Sequence, residues 1–315
     1  MQTRLLDDLH KNNIISKEQY GFQMGFTTEN AAYKLINEVL NALNNKQIVG
    51  GMVCDLTKAF NCVNHDILIS NIENYGIIGK DKELFQSYIK GRYQRVRIDN
   101  KKIHNTTVSH WAMIKHGVPQ GSILGPTLFL LYVNDLPAVI KKKLIPVLFA
   151  NDTSIFFTHH SIMEFHVNVD TVFGNVNTWF KKNSLSLYTE KTHYIHFKTR
   201  NSQLIDINMC LGNNGISNSL YTKFLGLIVD ITLSWKLHID HLINKLSTAC
   251  YVIRPVKPYM NTNAIIMIFH AVMTYGIIFW GNSSHSVKYL ECKKRHLGLL
   301  CGVVTENLVE TYSKN

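Results

Sequence analysis

Residues 147–157 read Val-Leu-Phe-Ala, then Asn151-Asp152, then Thr-Ser-Ile-Phe-Phe: two apolar runs around a tight polar turn. That pattern is a β-hairpin signal, and it commits this part of the chain to a sheet. A second apolar run, Ile48 to Cys54, contains Gly50 and Gly51, has the profile of a buried strand and closes on Asp55. If strand and hairpin are neighbours, Asp55 and Asp152 converge on one edge. Hard divalent cations take one or two carboxylates plus substrate phosphates, and a two-metal clamp stabilises the attacking and leaving oxygens of an in-line phosphoryl displacement. The same positions are also ordinary turn chemistry, because Asp at a strand end and Asn-Asp in a turn need no metal.

The rest of the chain alternates helix and strand. Ala32, Leu35, Ile36, Val39, Leu40 and Leu43 fall at helical spacing over 28–43, with Thr28 and Glu29 in the opening turn. Helices are expected at 66–75, from about Pro126, and over 170–183; 193–198 reads as a strand. Residues 93–98 alternate and Asp99-Asn100 supplies a turn, which predicts a second hairpin. Past Trp235 the pattern becomes helical, and Lys236, Lys245, Arg254, Lys257, Lys288, Lys293, Lys294 and Arg295 gather there. The expected architecture is an α+β body followed by a basic helical domain.

With 33 Lys+Arg against 22 Asp+Glu over 315 residues, the net charge of +11 points to a polyanionic partner. Lys90, Arg92, Arg95, Arg97, Lys101 and Lys102 crowd into one short segment, with Tyr93, Arg95 and Arg97 on one face if it is a strand. That placement suits phosphate contact with aromatic support, and equally a solvated edge strand protected by charge. Six cysteines show no C-x-x-C pair, which argues against a structural zinc site and a disulfide scaffold, and favours a reducing, intracellular setting. The polar N-terminus does not read as a signal peptide. Ala264–Gly281 has 18 residues without formal charge, but His270, Thr274 and Tyr275 interrupt it. A buried helix ending near Gly276, followed by a short apolar strand or turn, fits better than a membrane span.

Asp55-Leu56-Thr57-Lys58-Ala59-Phe60, Gly117-Val118-Pro119-Gln120-Gly121-Ser122 and Phe149-Ala150-Asn151-Asp152-Thr153 resemble, in order and separation, the palm signatures of reverse transcriptases of non-LTR retrotransposons, of the LINE, jockey-like type. Gln19-Tyr20-Gly21-Phe22, Val63 to Leu68, Tyr75-Gly76-Ile77, Trp179-Phe180, Lys191-Thr192, Lys223 to Gly226 and Tyr275 to Gly281 look like the same family, so the resemblance spans nearly the whole chain. It implies a right-hand polymerase palm, an antiparallel sheet with helices on one face, over 48–235. The basic hairpin near 90–102 is inserted in it, and a primer grip lies near 223–235. Residual fingers would occupy 1–47, a basic helical thumb 236–300 and a tail 301–315. The implied reaction is RNA-directed DNA synthesis with two Mg²⁺ (or Mn²⁺) ions on an RNA template, a DNA primer and deoxynucleoside triphosphates. No membrane and no obligate protein partner are implied.

Position by position, the resemblance makes Asp55 and Asp152 metal ligands and Phe60 the ring that screens the nucleotide sugar. Gln120 and Gly121 would lie beneath nucleotide and template, and Lys191 would help to protonate the leaving pyrophosphate. Arg92, Arg95, Arg97, Lys223, Phe224, Leu225, Gly226, Lys236 and Lys245 would touch nucleic acid. The departures matter as much. Asn151 stands where the family has the first of two adjacent aspartates, Asn61 where it has a second acidic residue, Gln23 where it has arginine and Tyr188 where Asn is common. Asn151 removes a unit of negative charge from a site meant for dications, and Met1 falls just downstream of the family's finger strands. The expectation is a truncated, partly degenerate copy that is weak or dead as a polymerase, the alternative being a non-catalytic nucleic-acid-binding remnant.

Overall fold

The computed structural model describes residues 2–100, 105–140, 144–203, 205, 209–211, 214–261, 263, 264, 267 and 273–301. Lys101 and Lys102, and nearly all of the expected tail, fall outside them. The chain divides into two compact units, one of residues 1–196 and 204–219, the other of 197–203 and 220–315. This division falls earlier than the sequence boundary at 235/236.

In the first unit the elements run α1 (Gln2–Lys11), α2 (Thr28–Asn44), β1 (Ile48–Cys54), α3 (Ala59–Cys62), α4 (His65–Asn74), α5 (Gly79–Ile89), β2 (Tyr93–Gln94), β3 (Arg97–Asn100), β4 (Asn105–Val108), β5 (Ala112–Met113), α6 (Leu124–Val133), α7 (Leu136–Val139), β6 (Leu144–Phe149), β7 (Asp152–His159), α8 (Ile162–Lys182), β8 (His193–Phe197), β9 (Met209–Leu211) and β10 (Asn214–Ser219). A six-stranded sheet orders them β6-β7-β1-β8-β10-β9. Its β6-β7-β1 portion is antiparallel, whereas β10 runs parallel to β8.

The main core lies on the face of Met52, Cys54, Leu148, Ile155 and Phe157, and takes in Leu68 and Ile72 of α4, Leu128, Phe129 and Tyr132 of α6, and Phe165, Val169 and Phe180 of α8. Burying each such side chain contributes about 1.5–3 kcal/mol. Because α6 is apolar on every side, it is buried nearly throughout. The one-face expectation is thus extended by α2, which packs on β1 and β6 with Ala31, Ala32, Leu35, Ile36 and Val39 buried outside that core. The capping residue of α2 is Thr27, not Thr28: its side chain accepts from the Asn30 N–H while the Asn30 side chain accepts from the Thr27 N–H.

Two glycines let the sheet close. A Cβ on Gly50 would stand 2.1 Å from Tyr194 Oη, and one on Gly51 would stand 2.4 Å from the Phe156 ring, its cross-strand partner. The aromatic rings fill the space that the missing side chains leave.

The predicted hairpin at 93–98 is corrected. Tyr93–Gln94 pairs with Ala112–Met113, and Arg97–Asn100 pairs separately with Asn105–Val108, so two short ladders replace one strand. Asp99 and Asn100 belong to β3 instead of a turn. Asp99 accepts from Arg97 Nε at 2.9 Å and, across the ladder, from its partner Thr106 Oγ1 at 2.8 Å.

The second unit holds the hairpin β11 (Tyr221–Phe224) and β12 (Leu227–Asp230), then α9 (Lys236–Val256), a 3₁₀ turn at Lys257–Tyr259, α10 (Ile277–Trp280) and α11 (Ser286–Cys301). Helix α9 packs on α11 and on β12. Ile277–Trp280 is helical, where a strand or turn was expected; Gly276, at φ +64°, starts this short helix. Much of the apolar segment before it lies outside the described residues, and among those described no helix is long and apolar enough to cross a membrane.

Candidate active site

Asp55 is carried past the end of β1, and Asp152 opens β7. The last ladder pair between these strands is Cys54 with Thr153, so the next step of the register sets Asp55 opposite Asp152. Side chains directly opposite on one face lie about 4.5–5.5 Å apart at Cβ. The carboxyl of Asp152 is held above the ordinary carboxylate range, first by the protein packed around it and then by the charge of Asp55. Two carboxylates thus share one sheet edge, and Asp152 is pushed toward its protonated form by burial first and by Asp55 second.

The hairpin turn itself is shifted by one residue from the sequence reading. Phe149 pairs with Asp152, which leaves Ala150 and Asn151 as the central residues. Ala150 has φ +58°, a left-handed conformation that costs a residue with a Cβ about 1–2 kcal/mol. A buried glutamine from 131 residues earlier holds it there: Gln19 Oε1 accepts from the Ala150 N–H at 3.0 Å and from the Gly21 N–H at 2.8 Å. The backbone beside it is zipped to β6, with Tyr20 N–H on Leu148 O at 2.8 Å and Leu148 N–H on Glu18 O at 2.9 Å. Gly21 lies so close that a Cβ there would meet the Ala150 nitrogen at 2.4 Å. Gln23 donates its side-chain amide to Gln19 O. The role of Gln19 escaped the sequence reading, which used it only as part of a string; the Gly two places on was its signal.

Lys191 reaches the site by a route that local sequence does not show. Leu56 bridges Leu187, Thr57 N–H donates to Ser186 O at 3.0 Å, and Tyr188 N–H donates to Asp55 O at 2.8 Å. Lys191 Nζ thereby lies 3.4 Å from Asp55 Oδ2 and 4.9 Å from the centre of the Tyr188 ring. Asp55 therefore has a lysine as countercharge on one side and Asp152 on the other.

Below Asp55, Lys58 at φ +46° turns the chain into α3. Phe60 is half-buried, its ring 4.4 Å from that of Phe129 and 6.3 Å from that of Phe22. The Gly117–Ser122 loop docks on this helix through Gly117 N–H on Val63 O at 2.7 Å and Val118 N–H on Phe60 O at 2.9 Å. Gln120 Nε2 donates to Asn61 Oδ1 at 3.0 Å, so the neutral Asn61 ties this loop in place. Gly121 has φ +79° with open space where a Cβ would be.

Tyr93, Arg95 and Arg97 do not share one strand face, because Tyr93 lies in β2, Arg97 in β3 and Arg95 between the two. Arg92 lies 5.5 Å from the Tyr88 ring centre, Arg95 lies 4.7 Å from that of Trp111, and Arg97 is paired with Asp99. In the second unit, Leu225 at φ +46° and Gly226 at φ +90° form the tight turn of the β11–β12 hairpin. Tyr275 Oη donates to Leu225 O. Phe224 is buried, so its ring is a core group; Lys223 points outward. Lys236 and Lys245 on α9 are exposed. His241 is held below the ordinary imidazole range by burial, then by Lys245 and Lys223, which places these cations in one cluster.

A reverse transcriptase (RNA-dependent DNA polymerase) family model matches residues 1–229. The chain belongs to that family. The sheet that carries Asp55 and Asp152 is the reverse transcriptase palm, within an α+β fold. The chain is 24% identical to the probable RNA-directed DNA polymerase from transposon BS of Drosophila melanogaster over 90% of its length, covering 32% of that protein. It is also 24% identical to the RNA-directed DNA polymerase from mobile element jockey of the same fly, over 90% of this chain and 31% of that one. It thus spans about a third of the curated relatives it matches. Among solved structures, telomerase from Candida albicans with a fragment of telomeric RNA matches at a TM-score of 0.49 and 11% identity, over 99% of this chain and 58% of that one. Apo telomerase from Candida tropicalis truncated from its C-terminal domain matches at 0.48 and 16%, over 73% and 42%.

The raised Asp152 carboxyl has a measurable sign. A carboxyl whose folded pKa exceeds its unfolded one binds more protons when folded, so stability falls as pH rises through that interval. Asp152→Asn is therefore expected to raise the thermal midpoint of the metal-free protein above the raised Asp152 pKa. The gain should fade on acidification and vanish below the ordinary carboxylate range; a gain of equal size at every pH would contradict this assignment.

Proposed function

We propose that the chain is the RNA-directed DNA polymerase domain of a non-LTR retrotransposon with its nucleotidyl-transfer centre at Asp55 and Asp152, weakened by Asn151. What carries the reading is the register that opposes the two carboxylates at the palm edge. Their oxygens fit a hard divalent cation, Mg²⁺ or Mn²⁺, and the elevated Asp152 carboxyl is relieved by one. The Asn151 amide offers a neutral oxygen in the turn, so the residues present suit one ion better than the pair an intact site would hold. When bound, such an ion supplies countercharge for the phosphates and the attacking oxygen.

The chain's own residues do the rest. The Phe60 ring, braced by Phe129, sets the floor against which a deoxyribose rests and a 2′-hydroxyl is crowded. Gln120, anchored by Asn61, presents the Gly121 turn to nucleotide and template. Lys191, resting on the Tyr188 face, carries the proton for the leaving pyrophosphate. Lys223, Lys236 and Lys245 serve the phosphates of a primer–template duplex. The second reading, a non-catalytic nucleic-acid-binding remnant, draws on the Lys191–Asp55 contact, because that lysine already neutralises the carboxylate a cation needs.

Primer extension on an RNA template with Mg²⁺ or Mn²⁺ decides between the two. Weak incorporation that disappears in Asp55→Ala is the expected result. Mg²⁺ should also raise the thermal midpoint of the parent chain and leave Asp55→Ala unmoved. Incorporation that survives in Asp55→Ala would place the chemistry elsewhere.

A further inference from the structure

A cleft of about 600 Å³ opens between the basic ladder and the Gly117–Gln120 loop, with Asn61, Arg92, Gln94, His116 and Gln120 among its polar walls. The β2–β5 ladder that forms one wall pairs Gln94 with Ala112, and the next step of the register sets Arg95 opposite Trp111. The wall thus continues into an exposed shelf, where the Arg95 guanidinium lies 4.7 Å from the centre of the Trp111 ring. The resemblance gives Arg92 and Arg95 to nucleic acid without saying which strand they hold, and gives Trp111 no role.

The cations around the cleft divide into spent and available ones. Lys90 is paired with Asp66 at 2.5 Å and Arg97 with Asp99 at 2.9 Å. Arg92 and Arg95 lie over aromatic rings and have no carboxylate partner among the described residues. A guanidinium on an aromatic face keeps its charge, and its free edge can still bond a phosphate, while ring and guanidinium planes both stack an unpaired base. Duplex bases are already stacked on one another and offer no face to such a shelf.

We propose that the Arg95–Trp111 shelf and the cleft behind it bind the unpaired RNA strand, one base stacking on the shelf while Arg92 holds the adjoining phosphate. The occupant follows from charge complementarity, from the stacking planes and from the shared wall with the Gln120 loop. The inference rests on the polymerase reading for its choice of RNA, but its test is independent of catalysis.

The chain has four tryptophans, of which Trp179, Trp235 and Trp280 are at most 6% exposed while Trp111 is 61% exposed. Tryptophan emission therefore reports on the shelf. Titrating the full chain, without divalent ions, with a short single-stranded RNA should quench that emission and shield it from iodide, and a blunt RNA duplex should do neither. Trp111→Ala should weaken single-strand binding about 5- to 100-fold by labelled-oligonucleotide anisotropy, and Trp111→Phe should recover most of the loss. Arg95→Lys, which keeps the charge and loses the plane, should weaken it as well. Since Arg95 and Trp111 are exposed, circular dichroism should be unchanged in all three variants. Equal quenching by duplex, no effect of Trp111→Ala, or quenching by single-stranded DNA as strong as by RNA would each overturn the proposal. Quenching without primer extension would instead leave the shelf standing and remove the catalytic reading.

Discussion

Asn151→Asp is expected to raise primer extension on an RNA template at least about 10-fold, the lower bound for restoring a ligand-shell interaction at a metal site. The substitution changes charge and almost nothing else. Asn and Asp have nearly the same shape and are equally at home in turns, so the Phe149–Asp152 pairing should persist. The new carboxylate would stand next to Asp152, whose own carboxyl is already raised by burial and by Asp55. Three carboxylates at one edge repel one another until a cation arrives. The gain in rate should therefore come with a lower thermal midpoint in chelator and a steeper dependence on Mg²⁺. A variant that binds Mg²⁺ more tightly yet extends no faster would show that the turn does not limit catalysis. If the double variant Asn151→Asp, Asp55→Ala kept the gain, the reaction would not use this edge at all.

The second large effect concerns folding. Gln19→Leu keeps a buried side chain of similar bulk but removes the oxygen that accepts from Gly21 N–H and Ala150 N–H. Each buried donor left unpaired costs about 1–3 kcal/mol, about 2–6 kcal/mol for the pair, and the net loss should fall toward the lower end because the change also removes the Gln19 Nε2 amide, which is buried without a hydrogen-bond partner. Denaturant unfolding of the first unit measures the sum. Hydrogen exchange locates it: the Ala150 amide should lose its protection while amides in the middle of β1 keep theirs. A loss below about 1 kcal/mol, or unchanged protection at Ala150, would mean that the turn holds its left-handed residue without help. Because Ala150 pays for that conformation, the turn is expected to relax toward an ordinary hairpin once Gln19 is gone, and Asp152 would lose its register against Asp55.

These two predictions also mark where the sequence was legible. The strand at 48–54 and the apolar arms of the 147–157 hairpin are local patterns, and both stand in the structure within a few residues. The turn between the arms was misplaced by one residue because the force that sets it, the Gln19 side chain, comes from far along the chain. Lys191 was singled out by resemblance, yet its approach to Asp55 depends on the 186–188 segment pairing with 55–57, and no periodicity announces that pairing. In the basic segment the alternation of 93–98 promised one strand. The partner strands at 105–113 decided otherwise, drawing Tyr93–Gln94 and Arg97–Asn100 into separate ladders. Helix α5 was not expected because its mixed polar sequence shows little of the two-faced spacing that marks a helix packed on one side. The start of α8 lies eight residues before the predicted one, since Ser161 caps it by accepting from Glu164 N–H and carries it through exposed Ile162 and Met163.

Gly50 and Gly51 carry a consequence for inheritance. Every codon for glycine begins with two guanines, and every single-base change that alters the amino acid installs a side chain bearing a Cβ. At both positions that atom would fall on the ring of Tyr194 or Phe156, well inside contact distance. The Asn151 codon differs from that of aspartate by one base. A lineage of copies can therefore lose and regain the charge at position 151 by single steps while the sheet survives, whereas a change at either glycine forces the Tyr194 or Phe156 ring to shift and strains the strand that leads to Asp55.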